Sequence, residues 1–357
     1  MPKHTHGGRI FEAAKDLGIS FQEILDFSAN INPQGQPKGL KDHLFKAFAA
    51  TVHYPDVAAE SLVEAISSKL SLPPQAILAG AGSTPHIRML SRFLAPHNSV
   101  ILGPAFAEYE ESLNAAGCTP QYVLAKEEKD FLIDPELVEE AIALKPTAII
   151  LANPANPTGR LVPLMSLEAL LEHSRISGTW VVIDEAFIDF TYGKSLIMSC
   201  LKTPRLIVLR SLTKIFAIPG LRLAFLVAHP DTISSLSAIS EPWPINYMAL
   251  EAGLYCLKQD QYIKDTPLIT KDLREKLTKV LTQYACSLIE SDANFVLSRF
   301  TSPVQNLIES LYQEGILLRN AANFIGLRDG YLRFAVRPQG EIQTLSRSLE
   351  KFYARTA

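Results

Sequence analysis

Apolar, β-branched runs recur along the first two thirds of the chain and alternate with stretches of helical spacing. The runs QAILAGAG (75–82), NSVILGP (98–104), TPQYVLA (119–125), TAIILANP (147–154), WVVIDEAF (180–187), RLIVLRSL (205–212) and LRLAFLVA (221–228) predict strands. Between them, IDPELVEEAIALK (133–145) and SLEALLEHSRISG (166–178) repeat apolar positions three and four apart, as amphipathic helices do. Strands that are apolar at nearly every position lie in a sheet covered on both faces. The pattern therefore predicts an α/β domain with a mostly parallel, seven-stranded sheet covered by helices. In such sheets ligands bind where loops leave the carboxyl ends of strands, and the chemically odd residues of this chain sit at those ends.

After residue 255 the pattern changes. A long charged helix over 259–284 precedes the strand-like SLIESDANFVLSRF, the helical SPVQNLIESLYQEG, the short runs ILLRN and GYLRFAV, and a last amphipathic helix, EIQTLSRSLEKFYA. This predicts a smaller α+β domain over 256–357 beside a large domain over 41–255. Residues 1–40 have too few apolar positions for a core of their own and are expected to pack on the small domain.

Composition narrows the class. A chain of 357 residues with 47% hydrophobic and 20% charged residues is globular and has ample core. Its net charge of −3 comes without a basic block, which argues against a nucleic-acid partner. Cys118, Cys200, Cys256 and Cys286 lie far apart, with no CxxC and no secretory leader, so they read as buried thiols of a reducing cytoplasm. No apolar run has the length of a membrane span, and no His or Cys cluster suggests a metal.

The candidate chemistry begins in SLTKIFAIPGLRLAF (211–225). A lysine in so apolar a run is desolvated, which lowers its pKa and frees a neutral amine for Schiff-base chemistry. Alone, Lys214 would read as a lysine snorkelling from an edge strand; its neighbours change that, because Ser211 and Arg222 can together hold a phosphate. Asp184 ends a very apolar strand and needs a partner, for which a pyridinium nitrogen is suitable; Glu185 beside it reads as structural. Asn153 and Asn156 stand in the Pro/Gly turn ANPANPTG. Gly80, Gly82, Ser83 and Thr84 lie between a strand and a helix, where backbone amides and hydroxyls cradle anions. Phe106 and Tyr109 are both placed to stack on a flat ring. Together these strand-end motifs supply what pyridoxal 5'-phosphate requires: a phosphate cradle, a ring stack, a ring-nitrogen acid, a ring-oxygen donor and a lysine.

In order along the chain, GAGST, PAFAEY, NPANPTG, DEAF and SLTKIFAIPGLR resemble the fold-type I pyridoxal-phosphate enzymes of the aminotransferase class I/II group, over nearly the whole chain. The resemblance implies that Lys214 bonds the cofactor, Asp184 contacts its ring nitrogen, Asn156 its ring oxygen, and Phe106 stacks on the ring. It gives the phosphate to Ser83, Thr84, Ser211 and Arg222, assisted by Thr213, and implies a homodimer in which Tyr54 reaches the cofactor phosphate of the partner subunit.

Two branches of the group are similar to this chain. One decarboxylates O-phospho-L-threonine in cobalamin biosynthesis, and the other transaminates histidinol phosphate. HTHGGRIFEAAKDLG with ILDFSANINPQG, EPWPIN, LRFAVRP and Phe187 in DEAF favour the first. That similarity puts His6, Gly7, Gly8 and Asn32, with Asn156, at substrate positions. Arg319 and Arg333 match the family's substrate-anion positions, the assignment of phosphate and carboxylate between them being open; Arg337 faces either the same cleft or solvent. The expected activity is therefore a cytoplasmic decarboxylase of a small phosphorylated amino acid. Transamination and an O-phosphoserine substrate are the alternatives. A sensor domain of a transcription factor would need a DNA-binding module, and the sequence offers none.

Overall fold

The computed structural model describes residues 7–94, 97–301 and 304–356. A short strand near the amino terminus, β1 (Leu25–Asp26), precedes the seven strands of the large sheet. These are β2 (Ile77–Gly80), β3 (Ser99–Gly103), β4 (Gln121–Leu124), β5 (Ala148–Ala152), β6 (Trp180–Asp184), β7 (Leu206–Ser211) and β8 (Ala224–Ala228), in the spatial order β2-β8-β7-β6-β5-β3-β4. Each expected strand is present and shorter at its carboxyl end or its start, because the Gly, Asn and Pro residues there leave the ladder to form loops. β8 loses three residues at its start: Pro219–Leu221 make a tight turn and Arg222 takes a left-handed backbone, φ 58°.

Alternate residues of a strand point to opposite faces, which explains the unbroken apolar runs. Ile149 and Leu151 of β5 pack into one core and Ile150 into the other; Val208 of β7 joins the first core, Ile207 and Leu209 the second. Each such side chain contributes roughly 1.5–3 kcal/mol by leaving water. Strands β3 to β7 are parallel, whereas β8 runs antiparallel to both β2 and β7.

That reversal positions the site. Because β8 begins where β2 and β7 end, Ala224 lies between Gly80 and Ser211 in register. The turn after β2, the end of β7 and Arg222 just ahead of β8 are thereby gathered at one point. Asp184, at the end of β6, pairs with Leu209 of β7 and Ala152 of β5, so the loop after β5 that carries Asn156 arrives at the same edge.

The later strands are β9 (Ser287–Leu288), β10 (Phe295–Arg299), β11 (Ile316–Leu317), β12 (Arg319–Asn320) and β13 (Tyr331–Ala335). β12-β13-β10-β9 form an antiparallel sheet, and β11 pairs in parallel with β1. Helices Asp260–Leu281, Val304–Gln313 and Gln339–Thr356 contribute Leu277, Leu307 and Leu345 to a separate core with Val296, Leu332 and Phe334, which Phe27 enters from the amino-terminal segment. Among the described residues no helix is long and apolar enough to cross a membrane. Cys118, Cys200 and Cys256 are buried as expected, whereas Cys286, just ahead of β9, is exposed.

Candidate active site

At the carboxyl ends of the large sheet lies a cavity of about 340 Å³, closed on its far side by the small sheet. The structure brings together on its wall Ser83, Thr84, Phe106, Asn156, Asp184, Ser211, Thr213, Lys214 and Arg222 from the large sheet's loops. Arg319 and Arg333 come from β12 and β13, and Gly7 from the amino-terminal segment. Of the other sequence candidates, His6 lies outside the described residues.

The phosphate cradle is built by backbone first. Gly82 has φ +94°, a backbone that favours glycine, and a Cβ there would displace the Arg222 guanidinium from its place at the cradle. Ser83 starts the helix Ser83–Leu94 and presents its amides to the cavity. Across the register, Ser211 Oγ and Thr213 Oγ1 are 2.8 Å apart, and Arg222 Nη1 donates to the Pro219 carbonyl at 2.9 Å, which aims the fork.

Asp184 is fully buried, and desolvation raises its pKa; Tyr109 Oη donates to Oδ2 at 2.7 Å and the Ala186 amide to Oδ1 at 2.9 Å, which counter part of that rise. Of the two aromatics, Phe106 is on the cavity wall and Tyr109 is off it, as the hydrogen-bond partner of Asp184. Lys214 is half-buried beside it. Desolvation first, then the charges of Arg222 and Arg333, push its pKa down to about 8, and only Asp184 opposes them. A carboxylate at one end, a cationic fork and hydroxyls at the other, an aromatic wall and a partly neutral amine between them fit a flat, phosphorylated pyridinium ring.

The opposite wall is cationic. Arg333 Nη1 donates to Asn156 Oδ1 at 2.6 Å and Nη2 to the Ser28 carbonyl at 3.0 Å, and its guanidinium lies 5.4 Å from the Phe295 ring centre. Burial and the charge of Arg319 depress its pKa to about 9; burial takes Arg319 to about 10. Arg337 does not face the cavity, being forked onto Glu341 one helical turn on.

Two sequence candidates, Asn32 and Gly8, are placed differently from expectation. Asn32 is not on the wall: it is buried beneath Lys214, its Nδ2 donating to the Ile215 carbonyl (2.7 Å) and to Thr266 Oγ1 (3.1 Å), its Oδ1 accepting from the Gln34 amide. Asn30 lines the cavity instead, with a buried Oδ1 that has no protein partner. The Asn-Pro-x-Gly run that starts at Asn32 is a turn signature, a signal that could have set Asn32 aside as a turn former. Gly8 is also off the wall, its amide donating to Ser28 Oγ at 2.8 Å. It is Gly7 that approaches, so close to the Ser28 carbonyl that any Cβ would collide. Tyr54 is 80% exposed and lies outside its own chain's cavity, with its ring 4.7 Å from that of Trp243. Sequence reasoning also missed Ser28, Glu108, Asn323 and Phe324, all on the wall. Phe187 is there too, edge-on to Phe295 at 5.0 Å.

Glu185, next to Asp184, faces away and ties a loop to the sheet. It accepts from Ser195 Oγ and from the Leu196 amide at 2.7 Å, and Arg210 lies 3.8 Å away while also pairing with Asp189. Desolvation outweighs Arg210 and lifts its pKa from 4.5 to about 7. A carboxyl whose pKa is raised by folding binds its proton more tightly in the native state. Its contribution to stability is complete below 4.5 and is lost as pH rises through about 7. Glu185→Gln should therefore melt less pH-dependently than the parent between those values, the gap changing by on the order of a few degrees. Parallel melting curves for the two proteins across that window would refute the assignment.

The family model described as aminotransferase class I and II matches residues 22–352. The threonine-phosphate decarboxylase of Salmonella typhimurium is 34% identical over 350 residues, covering 97% of this chain and 95% of that protein. Among solved structures, the histidinol-phosphate aminotransferase of Clostridium acetobutylicum superposes with a TM-score of 0.86 at 29% identity, covering 93% of this chain and all of that one. The L-threonine-O-3-phosphate decarboxylase of Porphyromonas gingivalis superposes with a TM-score of 0.83 at 25% identity and the same coverage.

Proposed function

The chain belongs to the aminotransferase class I and II family, with pyridoxal 5'-phosphate as its cofactor, and we propose that within this family it decarboxylates O-phospho-L-threonine to (R)-1-aminopropan-2-yl phosphate for cobalamin biosynthesis. The observation that carries this reading is the pair Arg319 and Arg333, buried on one wall of the cavity, neither in an ion pair with a carboxylate among the described residues. Two such forks suit a substrate with two anionic groups, a carboxylate and a phosphate. The 34% identity to a threonine-phosphate decarboxylase supports the same substrate.

Bound pyridoxal phosphate supplies an electron sink for the pair released when the Cα–carboxylate bond breaks. The chain's residues do the rest. Lys214 would hold the cofactor through its amine, and the same amine can carry the proton that Cα takes up after carbon dioxide leaves. Asp184, kept in place by Tyr109 and the Ala186 amide, would hold a proton at the ring nitrogen. Asn156, whose Oδ1 is held by Arg333, would donate to the ring oxygen. Phe187 offers no hydroxyl there, so Asn156 is the main donor. Arg319 and Arg333 fix the substrate's two ends, which orients the bond that breaks. Asn30 takes the substrate position that the sequence had suggested for Asn32.

A second copy of the chain completes the assembly in this reading. Phe45, Phe48, Val52 and Tyr54 expose 84, 65, 80 and 80% of their surface over one short stretch, an apolar patch of the kind that marks an interface. Tyr54, at its end, reaches the partner's cofactor phosphate.

The test is chemical. O-phospho-L-threonine supplied alone should give many turnovers of carbon dioxide per active site, since a decarboxylase needs no amino acceptor. Histidinol phosphate with 2-oxoglutarate should give little glutamate. Glutamate formed readily, with carbon dioxide limited to trace amounts, would assign the protein to transamination instead.

A further inference from the structure

The two arginines pose a problem that the cofactor does not solve. β12 and β13 set Arg319 and Arg333 directly opposite each other, 8 and 7% exposed. Like charges facing each other across an antiparallel pair are destabilising, and their removal from water adds to the cost. For Arg319 the compensation is local. Its Nη1 donates to the Asn320 carbonyl at 2.6 Å, and its guanidinium lies 5.2 Å from the centre of the Phe324 ring, a cation–π contact.

Phe324 belongs to the turn that follows β12. The Ala322 amide donates to Asn320 Oδ1 at 2.9 Å and the Phe324 amide to the Ala321 carbonyl at 3.0 Å, which pins the turn to the strand carrying Arg319. The same turn puts Asn323 on the cavity wall, with a buried Oδ1 that has no hydrogen-bond partner. An unmet amide oxygen in such a place is destabilising. A ligand that engages the amide, in either rotamer, removes that cost.

We propose that Asn323 is a substrate contact that selects for the phosphate group, and that Phe324 is a positioning residue holding Arg319 to the same anion. The proposal rests on the reading that the substrate is a phosphorylated amino acid. Arg333 bonds Asn156 and its charge acts on Lys214, so it adjoins the reacting centre and takes the carboxylate on Cα. Arg319, held by the Asn323–Phe324 turn, takes the phosphate farther out. An amide suits a phosphate monoester because its NH₂ donates to the charged oxygens while its oxygen accepts from a protonated one. An unphosphorylated hydroxyl uses neither the fork nor the full amide.

The holoenzyme is titrated with O-phospho-L-threonine, L-threonine, histidinol phosphate and histidinol, followed by the cofactor's absorption. Asn323→Ala should raise the dissociation constant for phosphothreonine by roughly 10- to 100-fold while leaving that for threonine and the cofactor content unchanged. Asn323→Asp should do more, on the order of 1000-fold, because it brings a like charge to the phosphate, and Asn323→Gln should recover part of the loss. Phe324→Leu should weaken phosphothreonine alone, and should add nothing to Arg319→Ala. Equal losses for phosphothreonine and threonine, or an Asn323→Ala protein within about twofold of the parent, would overturn the proposal. A parent that responds to histidinol phosphate and not to phosphothreonine removes the decarboxylase reading. Asn323 is then judged by the same ratio between histidinol phosphate and histidinol. No response to either phosphate ester overturns both.

Discussion

Lys214→Ala should leave a folded protein that binds its cofactor reversibly and decarboxylates phosphothreonine about 1000- to 10000-fold more slowly than the parent. The expectation follows from position and charge. Lys214 is half-buried among the charges of two arginines and one aspartate, and its pKa of about 8 makes about a tenth of it neutral at pH 7, against well under a thousandth for an exposed lysine. Among the described residues no other lysine lines the cavity. Borohydride followed by mass measurement should add the cofactor's mass to the parent and not to the variant. A Lys214→Ala chain still labelled by borohydride would move the attachment to another residue.

Arg333→Ala should weaken phosphothreonine by about 2–5 kcal/mol, roughly 30- to 5000-fold in affinity, with cofactor content maintained. Truncation removes a fork aimed at the substrate and also releases Asn156 Oδ1 and the Ser28 carbonyl, both of which the arginine now holds. Arg333→Lys should recover only part of the loss, because an ammonium keeps the charge without the planar pair of donors. Dialysis against buffer, with cofactor read by absorption and substrate by titration, separates the two effects. Loss of cofactor with substrate affinity unchanged would exchange the roles given to Arg333 and Arg222.

Much of this architecture was legible from local chemistry. The seven strands were visible because each serves two cores at once, so Ile149, Ile150 and Leu151 are all apolar, and helices cannot be confused with runs so short. Lys214, Asp184 and Asn156 were visible because a polar residue at the end of such a run has few other reasons to be there. The direction of β8 was not, since a strand apolar on both faces looks the same in either sense. Nor was the choice between Asn30 and Asn32, two positions apart in SANIN: the fold buries one under Lys214 and points the other at the cavity, and that depends on Thr266, far along the chain. Asn323 and Phe324 escaped for a similar reason. NAANF reads as an ordinary turn until β12 and β13 bring two arginines face to face beside it.

The junction of β2, β8 and β7 has a consequence for how the protein is made. Gly80 and Ala224 face each other although they are about 140 residues apart in the chain, and closing so long a loop carries an entropic cost that favours its forming late. The phosphate cradle, with one side on β2's turn and the other on Ser211 and Arg222, is then among the last parts of the large sheet to come together. The cofactor therefore has nothing to grip on a nascent or half-folded chain. It meets a finished scaffold and adds stability to it by mass action. A shortage of cofactor should thus leave folded, empty protein awaiting loading, with its quality control decided before the ligand arrives.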